Sequence, residues 1–259
     1  MILLVIFGVG VVAGFVDAIA GGGGLIMLPG LLFSGLPVSS AIATNKLCGT
    51  CGAIASTTKF AIAKQIDWRA CQLMALPVIV GAYLGSRSIG LLPTAWAEPT
   101  VVILISLITL FVIFNPALGK TPRQSKQSQN KKREKIASLR SLKTIVSLAL
   151  AGSIIGFHDG FFGPGTGIFL VFSLIFLLQI DFLRATGTTK LLNLLTNITA
   201  LITFALGGTI NYPKGLSGAI GVSLGSYIGA TFATKKGVKL IKPVFIFVTI
   251  ALVIKLIID

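Results

Sequence analysis

The sequence predicts an all-α integral membrane protein built from two inverted repeats, with about eight hydrophobic helical segments. Three observations carry that prediction. Of 259 residues, 54% are hydrophobic and only 11% are charged, against about 25% charged residues in a soluble domain. Apolar runs of roughly 18 residues recur along the whole chain, the length that crosses a hydrocarbon core. Finally, Gly14-Phe15-Val16-Asp17 returns as Gly156-Phe157-His158-Asp159, 142 residues later.

The first apolar block covers 2–33. It begins without a basic leader and offers no processing site, so it reads as structure rather than a signal peptide. It is too long for one span and is interrupted by Gly21-Gly22-Gly23-Gly24. Blocks at 41–62, 71–92 and 98–116 read as ordinary spans. The fifth block, 142–178, repeats the pattern of the first, with its interruption at Gly163-Pro164-Gly165-Thr166-Gly167. Blocks at 185–207, 214–234 and 241–258 complete the chain.

These blocks divide the chain into repeat one (1–118), a basic linker (119–141) and repeat two (142–259). The offset of 142 also aligns Gly21 with Gly163, Gly23 with Gly165, Ile26 with Ile168, and Ala43-Thr44 with Ala185-Thr186. Two inserted residues then make it 144, aligning Lys46-Leu47 with Lys190-Leu191 and Asp67-Trp68 with Asn211-Tyr212. The same offset aligns Gly81-Ala82-Tyr83-Leu84-Gly85 with Gly225-Ser226-Tyr227-Ile228-Gly229. Ordered matches at a near-constant offset mark an internal duplication.

The net charge of +15 is concentrated: between Lys120 and Lys143 nine basic residues face Glu134 alone. A basic loop between spans is what the positive-inside rule places in the cytoplasm. No aromatic platform accompanies it, so nucleic acid is not an expected partner. The cluster Lys235, Lys236, Lys239 and Lys242 should lie on the same side. That holds if the fifth block enters and returns, leaving only the sixth and seventh to cross between the two clusters. Each repeat then has three crossings and one re-entrant broken hairpin, and the odd count inverts the halves.

A glycine turn at membrane depth must be buried in protein or line a wet cavity. Where it leads into a helix, it presents N–H groups at the positive end of that helix, which suits an anion. The candidate substrate-binding residues here are Gly22, Gly23 and Gly24 in repeat one and Gly165, Thr166 and Gly167 in repeat two. Lys46 and Lys190 stand at equivalent depths, and intramembrane charges are costly enough to imply use. Two such lysines converging on the turns would make a positively charged pocket; the alternative is snorkelling to nearby headgroups. Asn45 and Thr189 beside them can donate further hydrogen bonds, as can Thr44, Thr186 and Thr188, which could equally cap the helix starts.

Asp17 and Asp159 precede the two turns and are expected either to couple protons or to bridge to Lys190 and Lys46. His158, the only histidine, could serve in proton coupling or simply pack. Cys48-Gly49-Thr50-Cys51 reads as small residues at a helix interface, and three cysteines give no disulfide framework. The G-x-x-x-G spacings at Gly81/Gly85 and Gly221/Gly225/Gly229 read as packing. No cofactor, resident metal or catalytic residue is expected.

With these motifs in view, the chain resembles the sulfite exporter TauE/SafE family. The resemblance rests on Gly14-Phe15-x-Asp17 leading to Gly21-Gly22-Gly23-Gly24-Leu25-Ile26-x-x-Pro29 and Ala43-Thr44-Asn45-Lys46. Its second copy is Gly156-Phe157-x-Asp159 through Gly167, then Ala185-Thr186-Gly187-Thr188-Thr189-Lys190. It implies a secondary transporter, not an enzyme, that exports sulfite, an organosulfonate or a related anion across the bacterial cytoplasmic membrane. The expected partners are that anion and the bilayer, with a homo-oligomer left open. A competing expectation is a transition-metal transporter using Asp17, His158 and Asp159.

Overall fold

The computed structural model describes residues 1–89 and 142–236. The blocks at 98–116 and 241–258 and the linker 119–141 lie outside the described residues. Within them the chain is all helix: α1 (Ile2–Ala20), α2 (Gly24–Phe33), α3 (Val38–Ile62), α4 (Trp68–Ser88), α5 (Leu142–Phe161), α6 (Thr166–Leu178), α7 (Phe182–Leu206) and α8 (Tyr212–Lys236). Both long blocks break at their glycines, as their composition predicts. α1 ends at Gly21, whose φ of 77° is left-handed, a conformation glycine adopts without steric cost. α6 starts from Gly165, left-handed at φ 83°.

Helices α4, α7 and α8 begin two or three residues before their apolar blocks because polar residues set the starts. Asp67 accepts from the Ala70 amide, Asp181 from Arg184 and Asn211 from Lys214. Five of the helices (α1, α4, α5, α7 and α8) are long and apolar enough to cross a membrane. The short helices α2 and α6 span about 15 and 20 Å, half to two-thirds of a hydrocarbon core.

Burial runs opposite to that of a water-soluble protein. Leu4, Leu76, Ile154 and Ile220 are 59–75% exposed among the described residues, while Thr44, Ser56, Thr188, Lys46 and Lys190 are at most 1% exposed. An apolar exterior around a polar interior fits a chain solvated by lipid.

Small residues set the packing. A side chain on Gly14 would land on the Val222 carbonyl, and one on Gly156 on the Val78 carbonyl. Gly225 abuts Val11 and Phe15, and Gly81 abuts Ser153 and Phe157. Each contact of α1 with α8 is thus repeated by α5 with α4, at positions related by the sequence offsets. This is close helix approach through small residues, as the G-x-x-x-G spacing predicts.

The duplication also shows in hydrogen bonds. The Thr44 hydroxyl accepts from the Asn211 amide at 3.0 Å, and the Thr188 hydroxyl accepts from the Asp67 amide at 2.9 Å. These reciprocal bonds pair Thr44 with Thr188, so the offset is already 144 there, and the earlier alignment with Thr186 is corrected. The extra residues fall in α6, 13 residues long against 10 for α2, and the turn that follows it is one residue shorter than the turn after α2. The helices carrying the lysines, α3 and α7, run in opposite directions, because Phe60 meets Gly187 while Gly49 meets Asn197.

Candidate functional site

The two glycine breaks are reversals. α2 folds back along α1, bringing Gly30 against Val9 and Gly23 against Ala13 and Asp17. The turns of the two halves then touch: a Cβ on Gly21 would stand 2.7 Å from the Gly167 carbonyl carbon, and one on Gly167 would stand 2.6 Å from the Gly21 Cα. Two side-chain-free turns can meet at this distance where any other residue would hold them apart.

Ion pairs cross between the halves at this junction. Lys46 Nζ lies 2.9 Å from Asp159 Oδ1, and Lys190 Nζ lies 2.8 Å from Asp17 Oδ2. The expected bridging thus occurs in both directions, each lysine taking the aspartate of the other half. Neither lysine snorkels, since Lys46 and Lys190 are 1% and 0% exposed. In a low-dielectric interior an ammonium without a counter-charge would be far costlier than a paired one.

The two bridges differ in detail. Asp17 is fully engaged: Oδ1 accepts from the Gly23 amide at 3.2 Å, and Lys190 donates both to Oδ2 and to the Asp17 carbonyl. Asp159 Oδ2, by contrast, is buried with no hydrogen-bond partner. The turns explain this. Gly23 is α-helical at φ −58° and directs its amide at Asp17, whereas its counterpart Gly165, following Pro164, is left-handed at φ 83°.

A small cavity of about 40 Å³ opens between the halves, room for about three water molecules. Its walls include Gly23, Gly24 and Gly167 from the turns, Asn45 and Lys46 from α3, Asp17 from α1 and Asp159 from α5. The sequence singled out all of these. The cavity also takes Cys48 and Gly49, which the sequence marked only as helix packing, and Asn193 and Asn197, which it did not mark. A signal for the asparagines was present, because Lys190, Asn193 and Asn197 stand three and seven apart on one helix face. Asn197 Nδ2 donates to Asn193 Oδ1 at 3.0 Å.

The remaining candidates sit around the cavity. Gly22, Gly165, Thr166, Thr189 and Lys190 are not in its wall. Of the two lysines, Lys46 reaches the cavity, while Lys190 is engaged by the carboxylate and carbonyl of Asp17 at the end of α1. Thr189 Oγ1 is buried without a partner. Thr186 and Thr188 donate to carbonyls four residues back instead of capping the helix start.

Thr166 Oγ1 donates to the Gly163 carbonyl, so it accepts from His158 Nδ1 at 3.3 Å, which assigns the ring hydrogen to Nδ1. The ring stands edge-on to Phe162 and Phe169 and lies outside the cavity wall. Cys48 is buried and donates to the Gly215 carbonyl. Among the described residues, no three His, Cys, Asp or Glu side chains gather as a metal site would require.

Comparison with known proteins agrees with a membrane-spanning helical fold. The sequence profile of the sulfite exporter TauE/SafE family matches residues 6–256. A probable membrane transporter protein from a Sinorhizobium species is 33% identical over all of this chain and 93% of its own length. A probable membrane transporter protein from Haemophilus influenzae is 32% identical over all of this chain and 95% of its own. The probable membrane transporter protein YfcA of Escherichia coli is also 32% identical, again over all of this chain and 91% of its own. No solved structure matches the chain. With a family match along nearly its whole length and relatives above 30% identity, the chain belongs to the sulfite exporter TauE/SafE family and is a multi-pass membrane transporter.

Proposed function

We propose that this protein is a secondary transporter that exports a small sulfur-containing anion, sulfite or an organosulfonate, by alternating access between inverted repeats 1–118 and 142–259. The observation that carries the proposal is the cavity where the two glycine turns touch and the Lys46–Asp159 bridge crosses. Sites formed by broken helices at a repeat interface are the recurring design of secondary transporters. The opposed directions of α3 and α7 support the inversion. The family supplies the sulfur chemistry of the cargo.

In this reading Lys46 supplies the counter-charge. Asn45 and the turn amides of Gly24 and Gly167 supply hydrogen bonds to oxyanion oxygens. Gly22, Gly165 and Thr166 shape the turns, while Lys190 holds the second half against the first through Asp17, and Thr189 Oγ1 remains an unused donor beside it. The cavity's size suits a compact oxyanion over a bulky solute. The basic linker 119–141 belongs in the cytoplasm of a bacterial inner membrane. The transition-metal alternative draws no support, because both carboxylates are engaged by lysines and His158 stands apart.

The test is flux through proteoliposomes. Radiolabelled sulfite or an organosulfonate should cross membranes that contain the protein, and Lys46→Ala should reduce that flux while the protein still folds. Unchanged flux in Lys46→Ala would remove this cavity from the transport path.

A further inference from the structure

Resting on that transport reading, we infer that the two ion bridges have different jobs: Asp159 is the single proton carrier of the transport cycle, and Asp17–Lys190 is a fixed clasp. Sequence equivalence alone would make the two aspartates interchangeable. The geometry separates them. Both oxygens of Asp17 are taken, by the Gly23 amide and by Lys190, which also holds the Asp17 main chain. Asp159 has one oxygen on Lys46 and the other, Oδ2, buried and bare. Asp159 is also 1% exposed and shares the cavity wall with Lys46.

Charge balance then dictates the step. At rest Lys46 and Asp159 neutralise each other, and an arriving monoanion would leave one negative charge uncompensated in a low-dielectric space. A proton drawn from water on the loading side forms an O–H bond at Asp159 Oδ2. The Lys46–Asp159 ion pair is exchanged for a Lys46–anion pair, and the cavity stays neutral. On the far side the anion leaves, the proton returns to water and the bridge re-forms. The result is electroneutral symport of one proton with each monoanion.

Among the described residues, Asp17 and Lys46 are the only other charged side chains in the cavity wall. On α5 itself, His158 is turned onto Thr166 between two phenylalanines. On α3, Cys48 bonds the Gly215 carbonyl. On α1 and α7, Asp17 and Lys190 occupy each other. On α4, Arg87 lies over Tyr83, and α6 carries no titratable side chain.

The probe is isethionate, a sulfonate that stays ionised at neutral pH and so cannot itself carry the proton. Proteoliposomes with an internal pH dye should report about one proton moved per isethionate. Asp159→Asn should still bind isethionate but move it without a proton, and its flux should lose pH dependence. Folded Asp17→Asn should keep the wild-type ratio. Asp159→Ser serves where Asp159→Asn fails to fold; it too should move isethionate without a proton. In weakly buffered detergent solution, the wild type should take up about one proton per bound isethionate and Asp159→Asn none. Proton movement at the wild-type ratio in Asp159→Asn, or its loss in folded Asp17→Asn alone, overturns the inference. Isethionate flux without protons in the wild type sinks the inference but leaves the transport reading standing; transport of neither sulfite nor any sulfonate sinks both.

Discussion

Removing one member of the Lys46–Asp159 bridge should cost far more stability than removing both. The Nζ–Oδ1 separation is 2.9 Å, and both side chains are 1% exposed. At an effective dielectric near 20, that distance corresponds to about 6 kcal/mol of attraction, set against a desolvation cost of several kcal/mol per ion. The net value of the intact bridge is therefore small, but the two members depend on each other. Lys46→Gln strands a buried carboxylate whose second oxygen already lacks a partner, which should destabilise by about 3–5 kcal/mol. Asp159→Asn strands the ammonium at similar cost. The double change leaves two neutral amides of similar volume and should recover most of the loss. In a chain of this size, the single variants should melt on the order of 10 °C below the wild type, with the double variant close to it. A thermal melt of the purified protein in one detergent at fixed pH measures all four proteins. Additive losses in the double variant would refute the mutual dependence and with it the buried bridge.

The packing makes a contrasting prediction about glycine. Gly225→Ala drives a methyl into the Val11 carbonyl, rigid main chain that can yield only if α1 and α8 separate, so a loss of about 1–3 kcal/mol or more is expected. Gly8→Ala on the same helix pair meets nothing within 4 Å and should be neutral or stabilising by roughly 0.5–1 kcal/mol; equal melting points would discredit the helix contact. His158→Phe should leave transport and its pH profile unchanged, because the ring already packs among aromatics outside the cavity. The expected cost is about 1 kcal/mol for the lost bond to Thr166, and a collapse of flux would place the histidine on the proton path.

Much of this architecture was legible because lipid imposes few solutions. Continuous apolar runs become helices, and glycine runs inside them must break them, so both broken blocks could be placed from sequence. The aspartate–lysine pairing was legible as an alternative, since charges at membrane depth need partners. Three features were hidden. Helix starts at Asp67, Asp181 and Asn211 precede the apolar runs because a cap is polar. The position of the two-residue insertion could not be read from Thr44, which meets a threonine at both offsets, Thr186 and Thr188; the reciprocal Thr44 and Thr188 bonds locate it. The inequality of the two lysines depends on backbone torsions at Gly23 and Gly165, which composition does not specify when both are glycine.

If cargo passes between the halves, the cavity must open to each side of the membrane in turn. Asn197 lines it and is 5% exposed, so a cysteine there reports access. The decisive measurement places Asn197→Cys in a background with Cys48, Cys51 and Cys71 changed to alanine, and labels it with a membrane-impermeant thiol reagent from either face of oriented vesicles. Labelling from both faces, slowed by sulfite or a sulfonate, is the predicted result. Labelling from one face only, or labelling indifferent to the anion, would contradict transport through this site.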